Sequence, residues 1–100
     1  MNEQPIPYRV SYSQRVREEL VALVNRVGPF RVQLLAALRE IDHRLRIYPQ
    51  FGQPLFKLMI EPVEVWIGVV APLVVEYVLD EETRTVNVLK PFRVLPGFGL

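Results

Sequence analysis

The chain changes its apolar period between Leu45 and Leu58. Before Leu45 the apolar residues recur at helical spacing. After Phe56 they alternate or run together among β-branched and aromatic neighbours, as strands do. Within the break, Pro49 and Pro54 lack amide donors and Gly52 can take a positive φ, so neither helix nor ladder is expected to cross Tyr48 to Pro54 undisturbed. A chain of 100 residues has room for one domain and one core. A helical half followed by a strand half in so small a domain implies an α+β fold, with helices packed on one face of an antiparallel sheet.

Ile6 to Val10 reads as a short first strand, entered through Pro7. Ser11 and Gln14 have the spacing of a capping box, and the helix they open places Val16, Leu20, Leu23, Val24 and Val27 on one stripe. Gly28-Pro29 closes that helix and opens a second, whose stripe is Leu34, Leu38, Ile41, Leu45 and Tyr48. So short a connection predicts antiparallel helices facing one neighbour, the sheet. Strands are predicted over Phe56 to Ile60, Val63 to Val70, Leu73 to Leu79 and Arg84 to Leu89. Val86 and Val88 alternate with Thr85 and Asn87, the pattern of one wet face, whereas Val65 to Tyr77 has few polar interruptions and reads as central. Lys90 to Leu100, with Pro91, Pro96, Gly97 and Gly99, reads as no strand. Residues 1–5 and 94–100 are expected to be flexible tails of a single domain spanning 1–100.

Half the residues are hydrophobic and the mean hydropathy is +0.16, apolar enough to imply that some surface is covered by a partner or a second copy. No apolar run reaches the roughly 18 residues of a membrane span. The first residues have neither a basic start nor an apolar core, so no secretory signal is expected and the cytoplasm is the default location. With no cysteine and one histidine, neither a disulfide nor a metal or other cofactor is expected. The net charge of +1 divides unevenly: nine basic residues against five acidic ones up to residue 60, then three against six. The helices are mildly basic and the strands acidic, a weak pattern for a nucleic-acid binder, which concentrates cations on the face it uses.

Short segments of the chain resemble the RelE/ParE toxin family. Tyr8-Arg9-Val10-Ser11-Tyr12-Ser13 is similar to its opening strand and cap, and Leu45 to Leu55, with Pro49, Gly52 and Pro54, resembles the segment that ends its second helix. Phe56-Lys57-Leu58 resembles the start of the next strand, Val75 to Glu81 the tyrosine-bearing strand with its acidic turn, and Val86 to Arg93 the final strand. The resemblance covers nearly the whole chain. It implies a β-α-α-β-β-β fold, a role as the toxin-like half of a type II toxin–antitoxin pair, and a cognate antitoxin as partner. It further implies the ribosome and mRNA, or gyrase, as target. RNA-cleaving members use basic side chains from the strands and an arginine near the C-terminus, commonly with a tyrosine or histidine in the tail. Lys57 and Arg93 stand at matching places. Val74 replaces a frequent arginine, Trp66-Ile67-Gly68 occupies another frequently basic place, and the tail from Pro96 to Leu100 has neither tyrosine nor histidine. These departures leave a second implied reading, a non-catalytic module that binds an antitoxin or itself.

Metal-free RNA cleavage needs a base for the 2′-hydroxyl, an acid for the leaving oxygen and cations for the pentacovalent transition state. On the resemblance, Lys57 and Arg93 are the catalytic cations and Tyr77 a secondary candidate as acid. Each has a plainer reading: a solvated strand lysine, a tail arginine paired with an acid, a core aromatic. His43 lies about 200° from Ile41 on the helical wheel and is expected at the surface. Arg39, Arg44 and Arg46 are interleaved with Glu40 and Asp42, as on a solvated mixed face. Trp66 is expected in the core. No phosphate loop, nucleophile elbow or metal-ligand cluster occurs in the sequence.

Overall fold

The computed structural model describes residues 6–55 and 63–97. They form six strands and two α-helices: β1 (Arg9–Tyr12), α1 (Gln14–Arg26), α2 (Arg31–Ile47), β2 (Gln53–Pro54), β3 (Val63–Val70), β4 (Leu73–Asp80), β5 (Thr85–Val88) and β6 (Arg93–Val94). Single turns of 3-10 helix, Gly28–Phe30 and Pro49–Phe51, precede and follow α2. The sheet runs β1-β5-β4-β3-β2, with β6 also on β4. The strand expected over Phe56 to Ile60 lies outside the described residues, as does Lys57.

The first strand begins later than predicted. Pro7 has no amide, and the Tyr8 amide donates to the Arg46 carbonyl (2.8 Å), so pairing with β5 starts at Arg9. Ser11 is therefore a strand residue, its hydroxyl bonded to the Asn87 amide oxygen across the sheet. The helix cap passes to Ser13, whose Oγ accepts from the Val16 amide at 3.2 Å. Because β1 runs parallel to β5, the sheet is mixed rather than all antiparallel. Alternation in sequence reveals a strand's faces but not its partner, and the long connection from β1 to β5, through both helices and β2 to β4, leaves room for a parallel neighbour.

Gly28 ends α1 with φ +56°, as its place before Pro29 predicts. The chain turns by 115° between the helices, so α2 folds back over the sheet without running strictly antiparallel to α1. Both bury their stripes on one sheet face. Val16, Leu23, Leu34, Ile41 and Leu45 pack with Leu73, Val75, Tyr77 and Leu79 of β4 and with Val86 and Val88 of β5. Each fully buried Val or Leu contributes about 1.5–3 kcal/mol. Leu20, Val24 and Leu38 line the margin of this core, and Ala37, outside the predicted stripe, is buried in it. Tyr48 corrects the prediction. It is 58% exposed, because its extended φ of −152° ends the helical wheel at Ile47, and Pro49 takes the buried place.

Two segments expected to carry no strand do carry short ones. Gln53 and Pro54 pair with Ile67 and Trp66 at the sheet edge, where a missing proline amide is tolerated. In the tail, Arg93 and Val94 pair with Val74 and Leu73, and the Leu95 amide donates to the Pro72 carbonyl, so residues 93–95 are held on the sheet. No single described helix is long and apolar enough to cross a membrane.

Candidate functional site

The uncovered sheet face is set by register. Leu73, Val75, Tyr77 and Leu79 of β4 point to the helices, so Val74, Glu76 and Val78 point away, beside Val65, Ile67 and Val69 of β3. Next to Glu76 the ladder is interrupted. Strand β5 pairs with Val78 to Asp80 and β6 with Leu73 and Val74, leaving residues 75–77 without a strand partner on that side. Five residues, 88–92, span a gap that three residues cover on β4, so the chain lifts off as a strap; Pro91, with no amide to donate, suits this departure.

The strap creates two adjoining hollows. One, of about 510 Å³, is lined by Arg15, Glu76, Lys90, Pro91, Phe92 and Arg93. The other, of about 380 Å³, runs on between the strap and α1 past Glu19, Leu20, Leu23 and Arg26. Lys90 Nζ lies 2.8 Å from Glu76 Oε2, on a carboxylate whose side chain is only 18% exposed. Arg15, Arg26 and Arg93 make no ion pair among the described residues, whereas Arg44 and Arg46 are tied to Glu40 (2.7 Å) and Asp42 (2.9 Å) along α2. Phe92, the last residue of the strap, is buried and stacks on Tyr12 with ring centroids 6.4 Å apart.

Tyr12 connects the strap to α2. Its hydroxyl donates to Asp42 Oδ1 at 2.6 Å, and the same carboxylate accepts from the Arg46 guanidinium. Burial and the Asp42 carboxylate push the Tyr12 phenol well above its ordinary range. For Asp42, burial alone would raise the pKa, but hydrogen bonds from Arg46 and Tyr12 and the Arg46 charge outweigh it, and the carboxyl sits below its usual range. Arg46 is correspondingly raised by its bond to Asp42.

The predicted site residues fall apart in space. Arg93 stands at the junction of the two hollows, exposed, on the uncovered face. Lys57 is outside the described residues. Tyr77 is on the helix side of β4, 1% exposed, with its hydroxyl donating to the Pro49 carbonyl and its ring stacked on Phe51 at 6.0 Å. Burial raises its pKa strongly, against a smaller opposing effect from the Gly52 backbone. That is the geometry of a pin fastening the Pro49–Phe51 turn to the sheet. His43 is exposed, as predicted, and Trp66 packs against the core, its Nε1 without a partner among the described residues. Sequence reasoning passed over Arg15, Glu76, Lys90 and Arg26, which only the strap and the register bring together. Their signal was slight: Lys90-Pro91 at a strand end, and Arg15 and Arg26 eleven positions apart on one helix. Among the described residues no three His, Asp or Glu side chains gather as metal ligands.

No family model and no curated protein sequence matches the chain. Its fold is shared with chains of two solved complexes. The archaeal RelE–RelB complex from Pyrococcus horikoshii contains a chain that superposes with a TM-score of 0.64 at 15% identity, over 90% of this chain and 97% of that one. The toxin–antitoxin complex RelBE2 from Mycobacterium tuberculosis gives 0.63 at 20% identity, over 93% and 97%. The chain therefore has a RelE-like α+β fold, two helices on a six-stranded mixed sheet.

Proposed function

We propose that this chain is the toxin-like component of a type II toxin–antitoxin pair, bound by a small antitoxin protein, and that it cleaves mRNA on the ribosome. The observation that carries the reading is a RelE-like fold, shared over about nine-tenths of the chain with members of two toxin–antitoxin complexes, that presents Arg93, without an ion pair among the described residues, in a cationic cleft beside the strap. Fold alone does not assign activity; the cleft chemistry adds to it. Arg93, with Lys57 from the strand-start motif, supplies charge to the phosphorane. Tyr77 enters only as a secondary acid, and its bond to Pro49 must then break first.

A second reading, a non-catalytic antitoxin-binding module or a gyrase inhibitor, draws support from Val74 and Gly68. Val74 and the segment Trp66-Ile67-Gly68 stand where basic strand residues are frequent in the family, and Val74 and Gly68 are buried. A translation extract programmed with a reporter mRNA separates the readings. Added protein is expected to cut the message within codons being read, and Lys57→Ala or Arg93→Ala to slow cutting roughly 30- to 1000-fold, about 2–4 kcal/mol, while Arg39→Ala does not. Equal cutting by all three variants refutes the site. An intact message, with inhibited supercoiling in a gyrase assay, transfers the reading to gyrase.

A further inference from the structure

We propose that the trough between α1 and the strap is a track for single-stranded RNA, in which Arg15, Arg93 and Arg26 hold successive phosphates. The inference rests on the RNA reading of the proposed function and specifies where the substrate lies. Arg15 and Arg26 are eleven residues apart on α1, three turns and so on the same face, which separates them by about 16 Å along the helix axis. Arg93, at the start of β6 directly after the strap, lines both hollows and so joins the Arg26 end of the trough to the Arg15 end. Three guanidiniums thus mark a line several nucleotides long, each without an ion-pair partner among the described residues.

Charge is concentrated along that line. A chain of net charge +1 places Arg15, Arg26, Lys90 and Arg93 in the two hollows against only Glu19 and Glu76. Glu76 is already matched by Lys90, which leaves three arginines facing one carboxylate. Arginine suits phosphate through its planar fork of donors. A phosphodiester chain also suits the trough better than an apolar protein segment does, because Leu23 and Phe92 are already buried in the core while Arg15, Arg26 and Arg93 are among its exposed side chains.

The test is fluorescence anisotropy of labelled polyuridylate with the full chain over a series of salt concentrations. Each phosphate contact contributes about −0.7 to the slope of log affinity on log salt for a single strand. Arg15→Ala, Arg26→Ala and Arg93→Ala are each expected to weaken binding several-fold and to flatten the slope by about 0.7. Arg39→Ala, which lies outside the trough, should leave both unchanged. All four side chains are exposed, and unchanged unfolding curves establish that each variant is folded. No binding by the unmodified chain, or no change in slope for the three variants, overturns the track; so does tighter binding of a labelled polyglutamate peptide, which would make the trough a seat for acidic protein. If the chain cuts mRNA while the variants bind RNA unchanged, the track fails and the functional reading survives. If the arginines hold RNA but no message is cut, the track survives and the cleavage reading fails.

Discussion

Gly68 sits where β3 passes beneath Phe51, and a Cβ there would come within 2.6 Å of the Phe51 ring. Phe51 has little room to yield, since it stacks on Tyr77 on one side and takes the Arg44 guanidinium 5.4 Å from its centroid. Gly68→Ala is therefore expected to cost about 1–3 kcal/mol through overpacking, seen as a lower urea midpoint with unchanged slope. A substitution within about 0.3 kcal/mol of the unmodified chain would show that Phe51 does not pack there. Gly52 is tighter still, because a Cβ would strike the Ile67 carbonyl, which is backbone and cannot rotate away. These two glycines explain why the segment around Pro49 marks the middle of the chain so clearly. It is the seam at which the helical layer is fastened to the sheet, and Tyr77 is its pin.

The contact of α2 with β1 includes the Tyr12–Asp42–Arg46 cluster, and the pH dependence of that contact follows from Asp42. The folded carboxyl titrates below its unfolded value, because Arg46 and Tyr12 donate to it more effectively than burial opposes it. A depressed carboxylate contributes stability above its unfolded pKa and loses that contribution as pH falls through the folded value. Thermal melts should thus show a midpoint that drops below the usual carboxylate range, and Asp42→Asn should flatten that acid limb. An unaltered limb in the variant would place the titration elsewhere. Both helices and the strands over Val63 to Leu79 could be read directly from the sequence, since their periods reflect burial against a neighbouring layer. What could not be read depends on partners distant in sequence. The parallel pairing of β1, the two-residue β6 and the strap all follow from register with β4 and β5, and no local pattern encodes register across dozens of residues. The site divided in the same way. Arg93 was visible through its resemblance to a family position, whereas Arg15 and Glu76 became neighbours of Arg93 only through folding.

For the molecule as a whole, apolar surface points to a partner. Val21, Val32, Ile47, Tyr48, Val69 and Leu89 are each more than half exposed, in a chain whose single core cannot accommodate them. An antitoxin that covers such side chains would raise stability, and without it the protein is expected to self-associate. The most direct test of the toxin-like reading is growth of a bacterial host in which the chain is induced alone or beside the adjacent reading frame. Arrest on induction alone, relieved when the neighbouring product is made and purifies in complex with the chain, is the predicted result. Undisturbed growth with folded protein accumulating in the cells would contradict it.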